Sequence, residues 1–310
     1  MPELPEVQTT VNGLQKLLPG LKIIDVWTDL AVGAHTTPHL RESLKDTKFF
    51  ARFKKEVTGA KIISAERRAK NILINLATGK TILVHMKMTG HMMIGKYMFD
   101  SKKKIWTPDP SEKNQALRDP YNKFLHVVFT LSNGKHLVLS DARKFAKVTL
   151  LSTKEARDSI HLEHLGPEPL TAGFTETKMI ERVMKRPNGK IKQVLMDQSI
   201  IAGIGNIYSD EMLWLASIHP ESQPKNIPKP RMKILYTSLK KVLAQGIDFG
   251  GDSTSDYRNI NGERGDFQHH HNVYRSTGKK CLKKNCSGII VRKVVGGRSA
   301  HFCPVHQKKY

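Results

Sequence analysis

The sequence opens with MPELPE at residues 1–6, and this stretch supports two interpretations. Removal of the initiator methionine would expose the secondary α-amine of Pro2 beside the acidic side chain of Glu3. An α-amine titrates near pH ~8, about two units below a lysine, so more of it is an unprotonated nucleophile at neutral pH. In the alternative interpretation, Pro5 occupies the first turn of a helix whose positive end Glu3 and Glu6 favour. The stretch therefore predicts a helix start and leaves catalysis open.

The residues that follow continue this helix. Val7, Val11 and Leu14 recur at helical spacing, and the Pro-Gly pair at 19–20 ends the pattern. A single amphipathic helix is therefore predicted over residues 5–18.

Residues 21–150 favour antiparallel β-structure. Five segments are predicted as strands: 21–27, 71–76, 81–86, 125–131 and 136–140. The pair Asn133-Gly134 is the one that a type I′ hairpin turn prefers, and Thr78-Gly79 serves an earlier turn. Many short strands without alternating helices indicate an antiparallel sandwich or barrel. We predict a long, mobile loop at 96–122.

From about residue 171 the pattern becomes helical. Helices are predicted at 176–185, 190–198, 207–216 and 229–245. Residues 246–266 are rich in Gly, Ser, Asp and Asn, and this composition predicts a flexible loop. A β-rich half followed by a helical half indicates an α+β multidomain protein.

The charge of the chain favours a polyanionic partner. Its 310 residues include 51 Lys and Arg against 28 Asp and Glu, which gives a net charge of +23. Nucleic acid is the leading partner, and an anionic membrane surface is the weaker alternative because the cations are spread along the chain. No apolar run approaches the ~20 residues of a transmembrane helix, and the opening residues do not resemble a secretory leader. We therefore expect a cytoplasmic or nucleoid-associated protein and no membrane.

The three cysteines all lie in the last thirty residues and predict a local metal site. They read Cys281-x4-Cys286, then sixteen residues, then Cys303-x2-His306. Two close pairs separated by a hairpin-sized spacer can place four N or S ligands tetrahedrally, as in structural zinc sites. The alternative is a coincidence of three reduced cysteines and a surface histidine. We expect one structural Zn²⁺ ion.

Several short motifs fit contact with DNA, although each has a simpler explanation. Glycines before Asn206 open a helix whose free N–H groups could receive a phosphate, or they allow close helix packing. Lys70 and the Arg143-Lys-Phe145 stretch combine cations and an aromatic at strand ends, where solvated side chains are commoner. Met88 belongs to the core in most proteins and is a wedge into DNA in a few.

Together these motifs resemble one family, the formamidopyrimidine-DNA glycosylase and endonuclease VIII superfamily of base-excision repair enzymes. The matching pieces follow the family's order along nearly the whole chain: the Pro-Glu-Leu-Pro-Glu-Val start, Arg67-Arg-Ala-Lys70, His85-x-x-Met88-x-Gly90, Asp141-x-Arg-x-Phe145, His164-Leu-Gly-Pro-Glu-Pro169, Leu195-Met-Asp-Gln198, Gly203-Ile-Gly-Asn-Ile-Tyr208 and the C-terminal cysteines.

The resemblance implies the architecture. It comprises an N-terminal helix with an antiparallel β-sandwich, a helix-two-turn-helix domain and a C-terminal zinc-finger β-hairpin, with damaged double-stranded DNA in the cleft between them. We expect a monomer with these segments: a catalytic domain at 1–150, a linker at 151–170, a DNA-binding domain with a lesion-capping loop at 171–266, and the finger at 267–310.

The resemblance also implies the roles of single residues. Pro2 attacks C1′ of a nucleotide flipped from the duplex, and Glu3 donates and accepts protons. The remaining site residues follow the family's motifs: Lys70, Asn206 and Arg298 grip phosphate, with Lys70 and Arg298 counted among the catalytic residues; Met88, Arg143 and Phe145 fill the gap left by the base; Lys192 contacts DNA.

Two features of this sequence bear on that resemblance. The segment 250–257 resembles the lesion-capping loop of the formamidopyrimidine branch, which implies oxidised purines as substrates and β,δ-elimination after base release. The alternatives are an endonuclease VIII-like enzyme for oxidised pyrimidines and a non-catalytic DNA-binding protein. The finger has four residues instead of two between Cys281 and Cys286, and His306 stands where the family usually has a fourth cysteine.

Overall fold

The computed structural model describes residues 1–156 and 158–310. The chain divides into two units: unit 1 contains residues 1–163 and 250–266, and unit 2 contains residues 164–249 and 267–310. This division differs from the segments expected from the sequence. Residues 250–266 group with the β-rich part, and the cysteine-containing tail groups with the helices.

Unit 1 begins with the helix predicted from the opening residues. Helix α1 (Leu4–Leu17) has a proline in its first turn and buries Val7, Val11 and Leu14. These side chains belong to the main core of unit 1, which explains why the apolar period predicted this helix correctly.

Two four-stranded antiparallel sheets follow. The first has the order β1 (Ile23–Thr28), β8 (Leu125–Leu131), β9 (His136–Ser140) and β5 (His91–Gly95), and the second has the order β10 (Lys147–Ser152), β4 (Lys80–His85), β3 (Asn71–Leu76) and β2 (Ile62–Arg68). Apolar side chains from both sheets and from α1 form one core. The predicted antiparallel sandwich is confirmed. Several elements of unit 1 were not predicted from the sequence: β2, β5, β10 and two helices, α2 (Pro38–Arg41) and α3 (Thr47–Val57).

The turn between β8 and β9 differs from its prediction. Gly134 has a positive φ of 77°, whereas Asn133 does not, and the Gly134 amide donates to the Leu131 carbonyl at 3.0 Å. A type I′ turn requires positive φ at both central residues, so that prediction is wrong. The connection is one residue longer and needs only one left-handed glycine.

The segment 96–122 has more structure than the predicted loop. It contains the hairpin β6 (Tyr97–Asp100) and β7 (Ile105–Pro108), followed by 3₁₀ turns at Gln115–Arg118 and Pro120–Lys123. Phe99 and Trp106 face each other across the hairpin, with ring centroids 5.4 Å apart. Aromatic contact of this kind offsets part of the entropy of ordering a hairpin.

Unit 2 contains four helices and a hairpin. They are α4 (Glu176–Val183), α5 (Ile191–Met196), α6 (Asn206–Leu215), α7 (Lys229–Asp248), β11 (Val291–Val295) and β12 (Arg298–Phe302). All four helices lie where the sequence predicted them, within a few residues at each end. In the described ranges, none of the helices has the length and apolar character that crossing a bilayer requires.

Candidate active site and nucleic-acid interface

The opening dipeptide is fixed at the start of α1. Pro2 and Glu3 are buried, and the backbone of Glu3 is extended, with φ −102° and ψ −168°. The Glu6 carboxylate accepts a hydrogen bond from the Glu3 amide at 2.7 Å. The two interpretations of this stretch are therefore compatible, because the helix start is what holds Pro2 and Glu3 in place.

The loop 250–266 lies against this helix start. The Asp252 amide donates to the second carboxylate oxygen of Glu6 at 2.8 Å, and the Tyr257 hydroxyl donates to the Glu6 carbonyl at 3.1 Å. Burial raises the pKa of Tyr257, so its hydroxyl stays a hydrogen-bond donor. Gly251 has a φ of 89°, and a Cβ there would lie 3.0 Å from Glu6 Cγ. Glu6 therefore connects the opening dipeptide to this loop.

The same loop closes on itself. The Ser253 hydroxyl donates to the Tyr257 carbonyl at 2.7 Å and accepts from the Gly265 amide at 2.9 Å. A Cβ on Gly265 would lie 2.2 Å from the Gly251 carbonyl oxygen, so only glycine permits the two ends to meet this closely. The structure thus shows a closed loop where the composition predicted a flexible one.

Two turns that carry the predicted wedge residues share one anchor. The buried Asp141 carboxylate accepts from the Thr89 hydroxyl, beside the half-buried Met88, and from the Arg143 amide at 3.2 Å. The Arg143 guanidinium lies 4.5 Å from the centroid of the Phe145 ring, which is 48% exposed. The structure therefore brings Met88, Arg143 and Phe145 together at one edge of unit 1.

Lys70 follows β2 at the turn into β3 and is buried. The preceding Ala69 has a φ of 53°, and the Arg67 side chain donates to the Gln8 side chain of α1 at 2.7 Å. The turn that carries Lys70 is therefore tied to the helix that carries the opening dipeptide.

In unit 2, Asn206 is the first residue of α6, directly after Gly205. Lys192 is fully buried in α5, and its ammonium donates to the Asp210 carboxylate and to the Asn206 carbonyl, the latter at 3.3 Å. A buried, paired ammonium does not present a cation to DNA. The DNA contact expected of Lys192 stays a prediction, and its burial and its partners support a role in holding the start of α6.

Arg298 is exposed at the first position of β12. It pairs with Val295 across a two-residue turn in which Gly296 and Gly297 have φ of 58° and 75°. Because both are left-handed, the hairpin has the type I′ geometry that matches strand twist. A Cβ on Gly296 would lie 1.9 Å from the Gln193 side chain, so this turn packs on α5.

The four predicted metal ligands converge. The ligand atoms of Cys281, Cys286, Cys303 and His306 all lie within 4.8 Å of one another. The Cys281 sulfur is 3.3 Å from His306 Nδ1, and the Cys286 and Cys303 sulfurs are 3.6 Å apart. Tetrahedral Zn²⁺ with S and N ligands needs separations of about 3.5–3.8 Å. These residues therefore fit a four-coordinate metal ion.

The histidine of this cluster is oriented by its second nitrogen. His306 Nε2 donates to the Trp214 carbonyl at 3.1 Å, which leaves Nδ1 as the ligand atom. The Trp214 indole nitrogen donates to the Cys281 sulfur at 3.3 Å. The substitution of histidine for the family's usual fourth cysteine therefore preserves a coherent ligand set.

Comparisons with known proteins agree with this geometry. Residues 1–148 match the model of the formamidopyrimidine-DNA glycosylase N-terminal domain, and residues 165–258 match that of the formamidopyrimidine-DNA glycosylase H2TH domain. The formamidopyrimidine-DNA glycosylase of Pelotomaculum thermopropionicum is 36% identical, and the alignment covers 99% of both chains. The chain belongs to the formamidopyrimidine-DNA glycosylase family. The enzyme of the same name from a Ruegeria species is 35% identical over 98% of both chains.

Solved structures show the same fold. Lactococcus lactis Fpg in complex with DNA that contains an abasic site is 31% identical, with a TM-score of 0.79, over 99% of this chain and 100% of that one. A variant of that protein bound to DNA containing Fapy-dG is equally similar, with 31% identity, a TM-score of 0.79 and the same coverage. The resemblance inferred from the sequence motifs is confirmed.

For several residues that shape the site, no role in it was predicted from the sequence. Glu6 lies three residues after Glu3, which is the spacing of a capping box, so the sequence contained a signal for their contact. Asp252 and Tyr257 contact Glu6 across about 250 residues of chain, and no local pattern predicts such a contact. No local pattern predicts the pairing of Asp210 with Lys192 either.

Proposed function

We propose that this DNA glycosylase excises oxidised purines, 8-oxoguanine and formamidopyrimidines, from duplex DNA and then cleaves the strand at the resulting site. The observation that carries the proposal is the buried Pro2-Glu3 pair at the start of α1, held by Glu6 beneath the loop 250–266. The free proline amine that removal of Met1 leaves at this position supplies a nucleophile that a binding-only protein does not need.

The chemistry assigned to these residues is as follows. The Pro2 nitrogen, losing its proton, attacks C1′ of the damaged nucleotide, and the N-glycosidic bond breaks as the base leaves with a proton. Glu3 protonates the ring oxygen O4′, which opens the sugar and leaves an iminium between Pro2 and C1′. The iminium acidifies the C2′ proton. Glu3, which is a carboxylate again after protonating O4′, accepts that proton, and the 3′ phosphate leaves by β-elimination. Loss of the C4′ proton then expels the 5′ phosphate by δ-elimination.

Other residues grip the duplex in this proposal. Asn206 at the helix start, Arg298 on the exposed turn and Lys70 beside α1 bind phosphates, and the net charge of +23 favours such contact. Met88, Arg143 and Phe145 fill the space of the extruded base, as an exposed ring backed by a guanidinium can do. Both units therefore supply DNA-binding residues.

The substrate assignment is supported by the relatives. The similar Lactococcus protein has been solved with DNA containing Fapy-dG and with DNA containing an abasic site. The damaged base and the product of its removal are the species that a combined glycosylase and lyase would meet. The substrate also implies an intracellular protein that acts on the nucleoid, and we retain the expectation that it acts as a monomer.

We infer that the metal bound by Cys281, Cys286, Cys303 and His306 is one Zn²⁺ ion with a structural role. Four protein ligands leave no open position for a water or substrate, which is the pattern of a structural site. When bound, the ion would supply cross-links within the finger. The chain's own residues carry out every chemical step.

The test combines borohydride trapping with the mature N-terminus. Enzyme that begins at Pro2 is mixed with an 8-oxoguanine duplex and borohydride, and a covalent complex through Pro2 is expected. The matched control carries one extra residue before Pro2, which acylates its nitrogen, and it should bind DNA without trapping. Absence of trapping with the mature enzyme contradicts the nucleophile. Faster release of thymine glycol than of 8-oxoguanine contradicts the substrate choice.

A further inference from the structure

One buried arginine ties the loop 250–266 to the rest of unit 1. Arg258 is 2% exposed, and its Nη2 donates to both carboxylate oxygens of Asp119, each at 3.1 Å. Its Nη1 donates to the carbonyls of Ser255 and Tyr257 at 3.0 and 2.9 Å. The guanidinium also lies 4.7 Å from the centroid of the Tyr121 ring. A single side chain therefore joins two points within the loop to the 119–121 turn.

A second set of contacts holds the far half of the loop on the same segment. The Asn122 amide nitrogen donates to the Gly262 carbonyl at 3.0 Å, and its oxygen accepts from His91 Nε2 at 2.9 Å. Burial lowers the pKa of His91 to about 4, so the ring is neutral at neutral pH. The Asn122 side-chain oxygen can only accept, and this assigns the proton to Nε2. The Asn114 amide donates to the Asn261 carbonyl at 2.7 Å. We call the segment 112–122 the brace.

The brace contacts a buried charge, and burying a charge is unfavourable in free energy for a surface loop. Connecting loops are normally mobile, and a buried guanidinium is costly unless its charge is paired. Here the charge is paired with a carboxylate, and both carboxylate oxygens accept charge-assisted hydrogen bonds from one guanidinium nitrogen, Nη2. Asp119 remains partly exposed, with 25% of its side-chain surface accessible. The pairing therefore acts chiefly to fix Arg258 and the carbonyls that it binds.

Those carbonyls are adjacent to the contacts that reach the catalytic pair. Tyr257, whose carbonyl accepts from Arg258, also donates its hydroxyl to the Glu6 carbonyl. Glu6 in turn accepts from the Glu3 amide. A continuous series of hydrogen bonds thus runs from Asp119 through Arg258, Tyr257 and Glu6 to Glu3.

We propose that Arg258, clamped by Asp119 and Tyr121, is a positioning residue that keeps the loop 250–266 closed beside the opening dipeptide before DNA binds, and so prepares the place where the extruded base is held. This inference rests on the proposed function. It assigns a role to the brace, which lies within the segment 96–122 that was predicted from the sequence to be a mobile loop.

The proposal separates two substrates. An oxidised purine must be held by its base while C1′ is attacked. An abasic site has no base to hold and is attacked by Pro2 and Glu3, which the capping box of Glu3 with Glu6 holds within α1 without the brace. Loosening the brace should therefore slow base excision and leave strand cleavage at a preformed abasic site unchanged.

Asp119→Asn tests this with a matched control, Asp109→Asn. Asp109 lies in the same segment, 96–122, and undergoes the same charge change. Its carboxylate accepts only from Ser111 among the described hydrogen bonds. We expect kcat/KM on an 8-oxoguanine duplex to fall about tenfold for Asp119→Asn, equivalent to about 1.4 kcal/mol. Cleavage of an abasic-site duplex of the same sequence should stay within about twofold of the unaltered enzyme. The Asp109 control should change neither rate.

Arg258→Lys is the second variant, because it keeps the positive charge and loses the planar guanidinium that contacts the Asp119 carboxylate and the two loop carbonyls at once. It should show the same split between substrates, together with faster amide hydrogen exchange at 252–257 in the free protein. Equal losses on both substrates, or unchanged excision with a loosened loop, would overturn the proposal. If the unaltered enzyme fails to cleave the abasic site, the proposed function has failed instead, and hydrogen exchange alone then decides whether the brace orders the loop.

Discussion

The loop 250–266 of unit 1 contains no helix or strand, whereas the finger at 281–306 of unit 2 contains the hairpin of β11 and β12. The two segments are ordered by different means. The loop is held by hydrogen bonds to Glu6 and by the buried pair of Arg258 with Asp119. In the finger, four side chains that could hold a metal ion converge beside a small apolar cluster that includes Val273 and Ile290. The difference follows from composition: the loop offers hydrogen-bonding groups, and the finger offers three cysteines and a histidine.

The metal site of the finger and the hydrogen bonds of the loop differ in the free energy that they contribute and in how structure is lost when they are removed. Structural Zn²⁺ contributes about 10–16 kcal/mol of apparent binding free energy in isolated fingers, so its loss is an all-or-none event. A single hydrogen bond contributes about 1 kcal/mol, so the loop should loosen in steps as contacts are removed. Three experiments follow from this difference, from the largest expected effect to the smallest.

Removal of the metal should have the largest effect. A chelator, or the variant Cys303→Ser, is expected to unfold residues 281–306 and to abolish tight DNA binding, because the ribbon has too small a core to fold unaided. Metal analysis should give one zinc per chain, and hydrogen exchange should show unit 1 unaffected. A zinc-free protein with intact DNA binding would show that apolar contacts alone fold the finger.

Breaking the buried ion pair of unit 2 should have the next largest effect. Asp210 accepts from Lys192 and from the His301 amide, so it joins α5 and α6 to β12. Asp210→Asn leaves a buried ammonium without its counter-charge and should cost about 3–5 kcal/mol in the free energy of unfolding of unit 2. Urea denaturation measures this change.

The double variant Lys192→Met with Asp210→Asn is the control for that experiment. It removes the uncompensated charge and keeps an acceptor for His301, so it should be more stable than Asp210→Asn alone. If the double variant is the less stable of the two, the ammonium is stabilised by other contacts and the charge argument is wrong.

Weakening the anchor of the loop should have the smallest effect. In Glu6→Gln, the amide keeps one acceptor but turns an NH₂ group toward a backbone N–H, which should cost about 1–3 kcal/mol. We expect faster amide exchange at 250–266 with little change in the finger. Glu66→Gln, at an exposed position of β2, is the matched control and should leave amide exchange at 250–266 unchanged. Equal exchange rates in both variants would show that Glu6 does not hold the loop.

Much of the fold could be predicted from local patterns. The helix α1, the five predicted strands and the four helices of unit 2 all carry apolar residues at the spacing of their element. The missed strands are less regular: β5 is buried along its whole length, and β2 carries the charged residues Glu66 to Arg68. A fully buried strand has no alternation, and a charged one has a weak apolar signal, so neither was detectable by period.

The sequence by itself determined the chemistry that this protein can perform: the proline amine beside a carboxylate, the four metal ligands at 281, 286, 303 and 306, and the surplus of cations. These are properties of residue type and spacing. Only the tertiary structure decided that Lys192 is buried and that Arg258 joins the brace to the loop beside Glu6. Such contacts connect residues far apart in the chain, and burial depends on what packs around a side chain, which no local spacing records.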